Sequence, residues 1–348
     1  MTTAFDFGSY RLRSMCQAGS RLISRQCRSI YQVVPNTDKW RELLSAMKIG
    51  FAVSQNTLTV IGDEADRIGE LCPIPVAGLL PDGYLAEDDP ASRQILSHLV
   101  EGILPEAIRP GEVCCLILPG SAYSNRTSEN QELDLCTRLV EMRGYEVRIL
   151  SSSMGVVLAA GEATEFTGVG LNFGESTCEV SLSRKGVEIA HSSIQLGGDW
   201  IDEALAKAES RFVYDRDGSC YLDKNSVREW REQMTGSIAE PTSELERLLR
   251  ERYDHMIHRV MTECVDGLRA AVDQFRMTEP LAVYCAGGLS QVKGFNRLLA
   301  RYLQTDHNFS IPVGSVRVLD DDGFVAVKGC LINAEIETEM LLRSAAAA

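Results

Sequence analysis

Gly170-Leu171-Asn172-Phe173-Gly174-Glu175-Ser176-Thr177 repeats, 166 residues on, the pattern of Ala4-Phe5-Asp6-Phe7-Gly8-Ser9-Tyr10. Each copy runs from a short apolar strand into a polar residue, a phenylalanine and a glycine. Residues of strand character follow each: Leu12, Arg21 to Ser24 and Ile30 to Val34 behind the first, Val180, Leu182, Val187 to Ala190 and Ile194 behind the second. A strand that turns at glycine into a second alternating strand predicts a hairpin. Two such hairpins predict a chain built from two similar halves.

The stretch between the hairpins alternates in kind. Ile95, Leu96, Leu99, Val100, Ile103 and Leu104 recur at helical spacing, and Leu133, Cys136, Leu139 and Val140 form another helical face. Val113 to Leu118 is a continuous apolar strand ending at Pro119-Gly120, Tyr145 to Leu150 is the next strand, and Met154 to Ala160 opens a helix of small residues. After the second hairpin come Gly197-Gly198-Asp199, a helix from Trp200 to Ser210 and a polar insertion from Arg211 to Thr242. One long helix then carries a single apolar stripe from Leu245 to Leu268. A strand from Leu281 to Cys285 runs into Gly287-Gly288, ahead of a helix from Phe295 to Leu303. Strands alternating with helices predict an α/β sheet covered on both faces.

Bulk properties exclude several classes. The chain has 348 residues, 45% apolar and 24% charged, long enough for about two domains with real cores. A net charge of -14 argues against a nucleic-acid surface, which needs a basic patch. The 11 cysteines are scattered in apolar contexts with no C-x-x-C pair, pointing to free thiols in a reducing, cytoplasmic setting. Five histidines without H-E-x-x-H spacing predict no zinc site. Met1-Thr-Thr-Ala-Phe-Asp lacks the basic-then-apolar pattern of a secretory leader, and no apolar run reaches transmembrane length.

In order and spacing, these pieces resemble the actin and heat-shock-chaperone ATPase superfamily, above all its bacterial MreB and MamK branch, over nearly the whole chain. Asp6-Phe7-Gly8-Ser9 resembles the first phosphate loop and Asn172 to Thr177 the second, with Leu196-Gly197-Gly198-Asp199 as the glycine turn behind it. Ile61 to Ala65 and Pro81-Asp82-Gly83-Tyr84-Leu85 are similar to the segments that close the first small subdomain and return to the main one. Ser151 to Gly161 resembles the helix crossing between halves, and Val227 to Glu232 the helix flanking the nucleoside. Ala286-Gly287-Gly288-Leu289-Ser290 resembles the adenosine loop, and Gly323 and Gly329 fit the closing segment.

The resemblance implies an α/β, actin-like ATPase fold: two duplicated ribonuclease-H-like domains, each with a smaller inserted subdomain, around a nucleotide cleft. The expected division is 1–153 with 323–341 for the first half (small subdomain about 35–72) and 154–322 for the second (small subdomain about 200–261). ATP or ADP with magnesium is the implied cofactor. Glycine turns let backbone N–H groups surround phosphate oxygens, so Gly8, Ser9, Gly174, Ser176 and Thr177 are expected at the phosphates, backed by Gly197 and Gly198. Gly287 and Gly288 are expected under the base, and Arg231 and Glu232 at the base or ribose. Asp6 is the expected magnesium carboxylate.

Ser152, Asn172 and Glu175 are the candidate catalytic residues that the resemblance implies, at positions that are degenerate against the family pattern. Asn172 stands where the second loop usually begins with aspartate, and an amide neither carries charge nor takes a proton. Ser152 stands where a glutamate or glutamine usually orients the attacking water. Ser176 replaces a glycine of the phosphate loop, whereas Glu175 keeps an acidic position seen in some relatives and is expected to substitute in part as a holder of water or metal. Losing a positioned base typically costs ~10²–10⁴-fold in rate, so hydrolysis is expected to be slow or impaired. Two functions then compete: a cytoskeletal protein assembling head-to-tail into filaments, and a nucleotide-binding scaffold that recruits partners without polymerising. A sugar kinase or a chaperone ATPase is the third class. The former is usually longer, and the latter carries a substrate domain after the fold.

Overall fold

The computed structural model describes residues 1–71, 76–84, 90–118, 131–214, 218–305, 311–320 and 322–347. Leu85 and Pro119-Gly120, read above as a return segment and a strand end, lie outside the described residues.

The chain opens with an antiparallel meander of β1 (Thr2–Phe7), β2 (Arg11–Ala18) and β3 (Arg21–Arg28). A small unit follows: β4 (Ile30–Pro35), α1 (Asp38–Ala46), β5 (Ala52–Ser54), β6 (Thr57–Ile61), α2 (Asp63–Leu71) and β7 (Ala77–Gly78). Next come α3 (Pro90–Ile103), β8 (Glu112–Ile117), α4 (Gln131–Glu141), β9 (Tyr145–Leu150) and the crossing helix α5 (Ser152–Ala160). The second half repeats the plan with β10 (Gly168–Phe173), β11 (Cys178–Arg184), β12 (Val187–Ile194) and α6 (Gly198–Ala208). Its insertion holds β13 (Phe212–Tyr214), β14 (Cys220–Leu222) and α7 (Lys224–Gln233). Then follow α8 (Glu244–Arg259), α9 (Val265–Gln274), β15 (Leu281–Ala286), α10 (Phe295–Thr305), β16 (Val313–Val318) and α11 (Val325–Ala347).

The duplication is visible strand for strand. One sheet has the order β3-β2-β1-β8-β9 and the other β12-β11-β10-β15-β16. In each, a three-stranded antiparallel meander is extended by two parallel strands. Even the register of the leading hairpins agrees: Asp6 pairs with Arg13 and Phe7 with Leu12, as Asn172 pairs with Glu179 and Phe173 with Cys178.

Between the two sheets lie α5 and α11. Their residues Met154, Val156, Val157, Val327 and Cys330 share one core with Ala4, Val113 and Cys115 of the first sheet and Tyr284 and Ala286 of the second. Enclosure on all sides explains why α5 is apolar around its whole circumference. Contact between these helices is at backbone distance: a Cβ on Gly329 would lie 1.8 Å from the Gly155 carbonyl oxygen. The Ser151 hydroxyl caps α5 by accepting the Met154 N–H at 3.0 Å.

The long helix expected from Leu245 to Leu268 is broken. A π turn at Val260–Cys264 separates α8 from α9 and packs on β11 and β12. Val260, Met261 and Cys264 are all fully buried there, so the wider turn keeps the apolar stripe facing the sheet where a regular helix would rotate it away. α8 begins with a capping box, Ser243 and Glu246 each bonding the other's backbone N–H. Among the described residues no helix is long and apolar enough to cross a membrane.

Candidate functional site

Both leading hairpins end at the same place. A cavity of about 190 Å³ between the halves is lined by Asp6, Gly8 and Ser9 of the first hairpin and Asn172, Gly174, Glu175 and Thr177 of the second. Ser152 from the start of α5, Arg231 and Glu232 from α7, and Gly287 and Gly288 after β15 complete the expected residues on its wall. Gly287 adopts φ +102°, and a Cβ there would sit 2.3 Å from the Phe173 carbonyl oxygen. Only glycine fits that crossing of the β15 end over the second hairpin.

Three expected contacts are placed elsewhere. Ser176 lines an adjoining cavity of about 240 Å³ that shares Ser9, Tyr10 and Glu175. Gly197 and Gly198 line neither cavity. They press on the back of the second loop, where a Cβ on Gly197 would meet the Glu175 carbonyl at 2.2 Å. The Gly198 and Asp199 N–H groups donate to the Gly174 and Glu175 carbonyls at 3.2 and 2.9 Å. The glycine pair therefore braces the loop from behind.

Arg231 and Glu175 are drawn into a buried charge network. Arg231 donates to both oxygens of Asp202 at 2.7 and 2.8 Å, and Asp202 is fully buried. Arg228 reaches Glu175 at 2.5 Å and Asp202 at 3.3 Å, while Lys224 holds Asp199 at 2.6 Å. Three cations thus balance three carboxylates. Burial opposes the charge of Arg231, but Asp202 more than compensates and holds it protonated well above its usual range. Burial lifts the Glu175 carboxyl above its ordinary value, with Arg228 and Arg231 pulling it back. Expected as a nucleoside contact, Arg231 spends its fork on Asp202. Expected as a stand-in holder of water or metal, Glu175 is gripped by arginine.

At the cavity floor the departures from the family pattern meet one another. Asn172 Nδ2 donates to Ser152 Oγ at 2.8 Å, and the Ser152 N–H donates to Glu179 Oε2 at 3.0 Å. Glu179 is 3% exposed and lines the cavity, with His191 Nε2 3.5 Å from the same oxygen. Ser151, Ser153, Ser181 and Glu188 form a second hydrogen-bonded cluster among themselves.

Sequence reasoning missed Arg13, Glu179 and Tyr10. A signal for the first two was available: both hairpins fold back so that the residue seven positions after the key polar one returns to its side. Arg13 follows Asp6 by that step, and Glu179 follows Asn172. Tyr10 gave no such signal. Its hydroxyl donates to Glu232 at 3.3 Å across the cleft, and its ring lies 3.9 Å from the Arg28 guanidinium and 5.1 Å from that of Arg228.

The magnesium expectation rests on Asp6. Asp6 Oδ2 is 3.4 Å from Arg13 Nη1, so the carboxylate meant for magnesium is already ion-paired. The matching position in the second hairpin is the amide of Asn172. Among the described residues no group of three or more His, Cys, Asp or Glu is arranged to hold a metal ion. This donor set does not fit a directly held divalent cation.

No curated protein matches the sequence. Among solved structures, the MamK double helical filament superposes with a TM-score of 0.64 at 16% identity, over 96% of this chain and 98% of that one. MreB5 of Spiroplasma citri bound to AMPPNP gives 0.65 at 16% identity, covering 98% of each chain. The ethanolamine utilization protein EutJ from Carboxydothermus hydrogenoformans gives 0.51 at 15%, over 95% of this chain and 89% of that one. At such identities these likenesses establish the fold, which is actin-like. The profile of the Volactin family matches residues 1–334, and the chain belongs to that family.

Proposed function

We propose that this chain is an actin-like protein that binds ATP or ADP in the cleft between its halves, hydrolyses it slowly, and assembles with copies of itself into filaments. The observation that carries this is the convergence of Gly8, Gly174 and Gly287 on one cavity. Backbone N–H groups of the two hairpin turns supply donors to a phosphate chain from opposite sides. Gly287-Gly288 leaves a flat backbone surface for the base. Support for the ligand comes from MreB5 structures holding AMPPNP and ADP, and for assembly from MamK in a double helical filament. The division 1–153 with 323–341, and 154–322, belongs to the same proposal.

Slow hydrolysis follows from the side chains. Ser152 and Asn172 are hydrogen-bonded to each other and bring no carboxylate. Asp6 and Glu175 face arginine. Glu179 is the carboxylate of the cavity floor left to take a proton from an attacking water, and one of its oxygens already accepts from Ser152. We derive no step through a bound metal.

Equilibrium binding of ATP and ADP, followed by pelleting and electron microscopy with ATP, tests the proposal. Nucleotide binding with filaments supports it. Binding with monodisperse particles replaces the filament by a nucleotide-binding scaffold, and failure of a folded sample to bind either nucleotide removes the proposal.

A further inference from the structure

The two hairpins match in backbone and register but differ in charge. Where β11 brings the carboxylate of Glu179, β2 brings the guanidinium of Arg13. That guanidinium lines the cavity and holds Asp6 with Nη1 at 3.4 Å. It is boxed on its other sides: the Phe324 ring centroid is 6.0 Å away, and a Cβ on Gly323 would be 2.8 Å from Nη2. Its Nε is buried with no hydrogen-bond partner. A buried donor without an acceptor carries its full desolvation penalty. That nitrogen is sealed behind Gly323, so the part of the guanidinium on the cavity wall that an anion can meet is its Nη end.

Guanidinium has five N–H donors in a rigid fork, so it can keep a carboxylate on one nitrogen and present others to a phosphate. It also supplies the positive charge that a polyphosphate otherwise takes from a divalent cation. On the wall of the same cavity, the Asp6 position is ion-paired and the Asn172 position is neutral.

We propose that Arg13 is the built-in counter-ion for the phosphate chain, and that this cleft binds nucleoside di- and triphosphates without magnesium. The inference rests on the cleft being a nucleotide site. Asp6 then acts as a positioning residue that holds the guanidinium against Phe324 and Gly323. Nucleotide arrives as its metal-free anion, and a phosphate oxygen accepts from the Nη groups of Arg13.

The test is ATP and ADP binding to the full chain in excess EDTA and in excess magnesium, with thermal melts as a check on folding. Wild-type affinity is expected to be nearly the same in both. Arg13→Gln is expected to lose ~10–100-fold in EDTA, the loss of one charged hydrogen-bonding group, and to recover much of that in magnesium. Asp6→Asn leaves Arg13 its charge and is expected to bind in EDTA as tightly as wild type or more so. Wild-type binding that appears only with magnesium, and that Asp6→Asn abolishes, overturns the inference while keeping the nucleotide site. Absence of binding in both media by folded wild type overturns the site itself.

Discussion

Asn172 and Glu179 face each other directly across the β10–β11 ladder, which puts a neutral amide and a carboxylate side by side on the cavity floor. The amide is occupied with Ser152, so in the proposed hydrolysis proton transfer falls to Glu179. Glu179→Gln is therefore expected to reduce phosphate release by a further ~10²-fold or more, whereas Ser152→Glu with Asn172→Asp is expected to raise it by a similar factor. Single-turnover release from ATP measures both. Wild-type turnover unchanged by all three substitutions would contradict this assignment.

The Asp202–Arg231 pair bears on stability more than on ligand contact. Asp202 is fully buried and accepts two hydrogen bonds from Arg231. Asp202→Ala removes both hydrogen bonds of Arg231 and leaves the network one positive charge in excess, and breaking a buried pair from one side typically costs ~3–5 kcal/mol. Urea unfolding should show that loss in the midpoint. A cost near zero would mean that the network is solvated.

Gly329 sets the approach of the two central helices. Because its Cβ would lie 1.8 Å from the Gly155 carbonyl, Gly329→Ala must push α11 away from α5. Such overpacking costs about 1–3 kcal/mol or more. Gly102, exposed in α3 with nothing near its Cβ position, provides the control. Gly102→Ala is expected to stabilise by about 0.5–1 kcal/mol through helix propensity. Equal effects of the two changes would refute the close crossing.

Buried thiols make the fold alkali-sensitive. Burial, with Asp63 nearby, pushes the Cys27 thiol up to about 12, and burial pushes Cys264 to about 11 despite its bond to Ser192. Cys114, Cys178 and Cys330 are driven the same way by burial. An acid whose folded value is raised gives its full stabilisation below the unfolded value, near 8.5, and loses it as pH climbs toward the folded value. Stability should thus fall from about pH 8.5 upward, by about 1.4 kcal/mol per pH unit for each such thiol. Urea midpoints at rising pH under reducing conditions check this. Iodoacetamide at neutral pH should modify exposed Cys220 well ahead of Cys27 and Cys264. A flat profile above pH 9 would contradict the burial of these thiols.

What the sequence made legible depended on backbone pattern. The echo of Ala4-Phe5-Asp6-Phe7-Gly8 in Gly170 to Gly174 announced two hairpins, and they occupy matching places in two sheets of the same order. Leu281 to Cys285 was readable because apolar residues run unbroken toward a glycine, and Tyr145 to Leu150 because Tyr145, Val147 and Ile149 alternate with charged residues up to a helix cap. The π turn at Val260–Cys264 was not readable, since an extra residue in a turn leaves apolar spacing nearly unchanged. At the site, Gly8, Gly174, Gly287 and Gly288 line the cavity, Gly197 and Gly198 brace the loop behind it, and side-chain partners were not legible. Arg231 and Glu175 are typical cleft residues by type. Their engagement with Asp202 and Arg228 depends on α6 and α7 packing together, which no local spacing encodes.

A structure of the full chain with a non-hydrolysable ATP analogue tests the central claim most directly. The expected result places the phosphates between the backbone amides of residues 8–10 and 174–177, the base beside Gly287-Gly288, and a phosphate oxygen on Arg13. An analogue bound outside that cleft, or a saturated and folded protein that holds none, would contradict it.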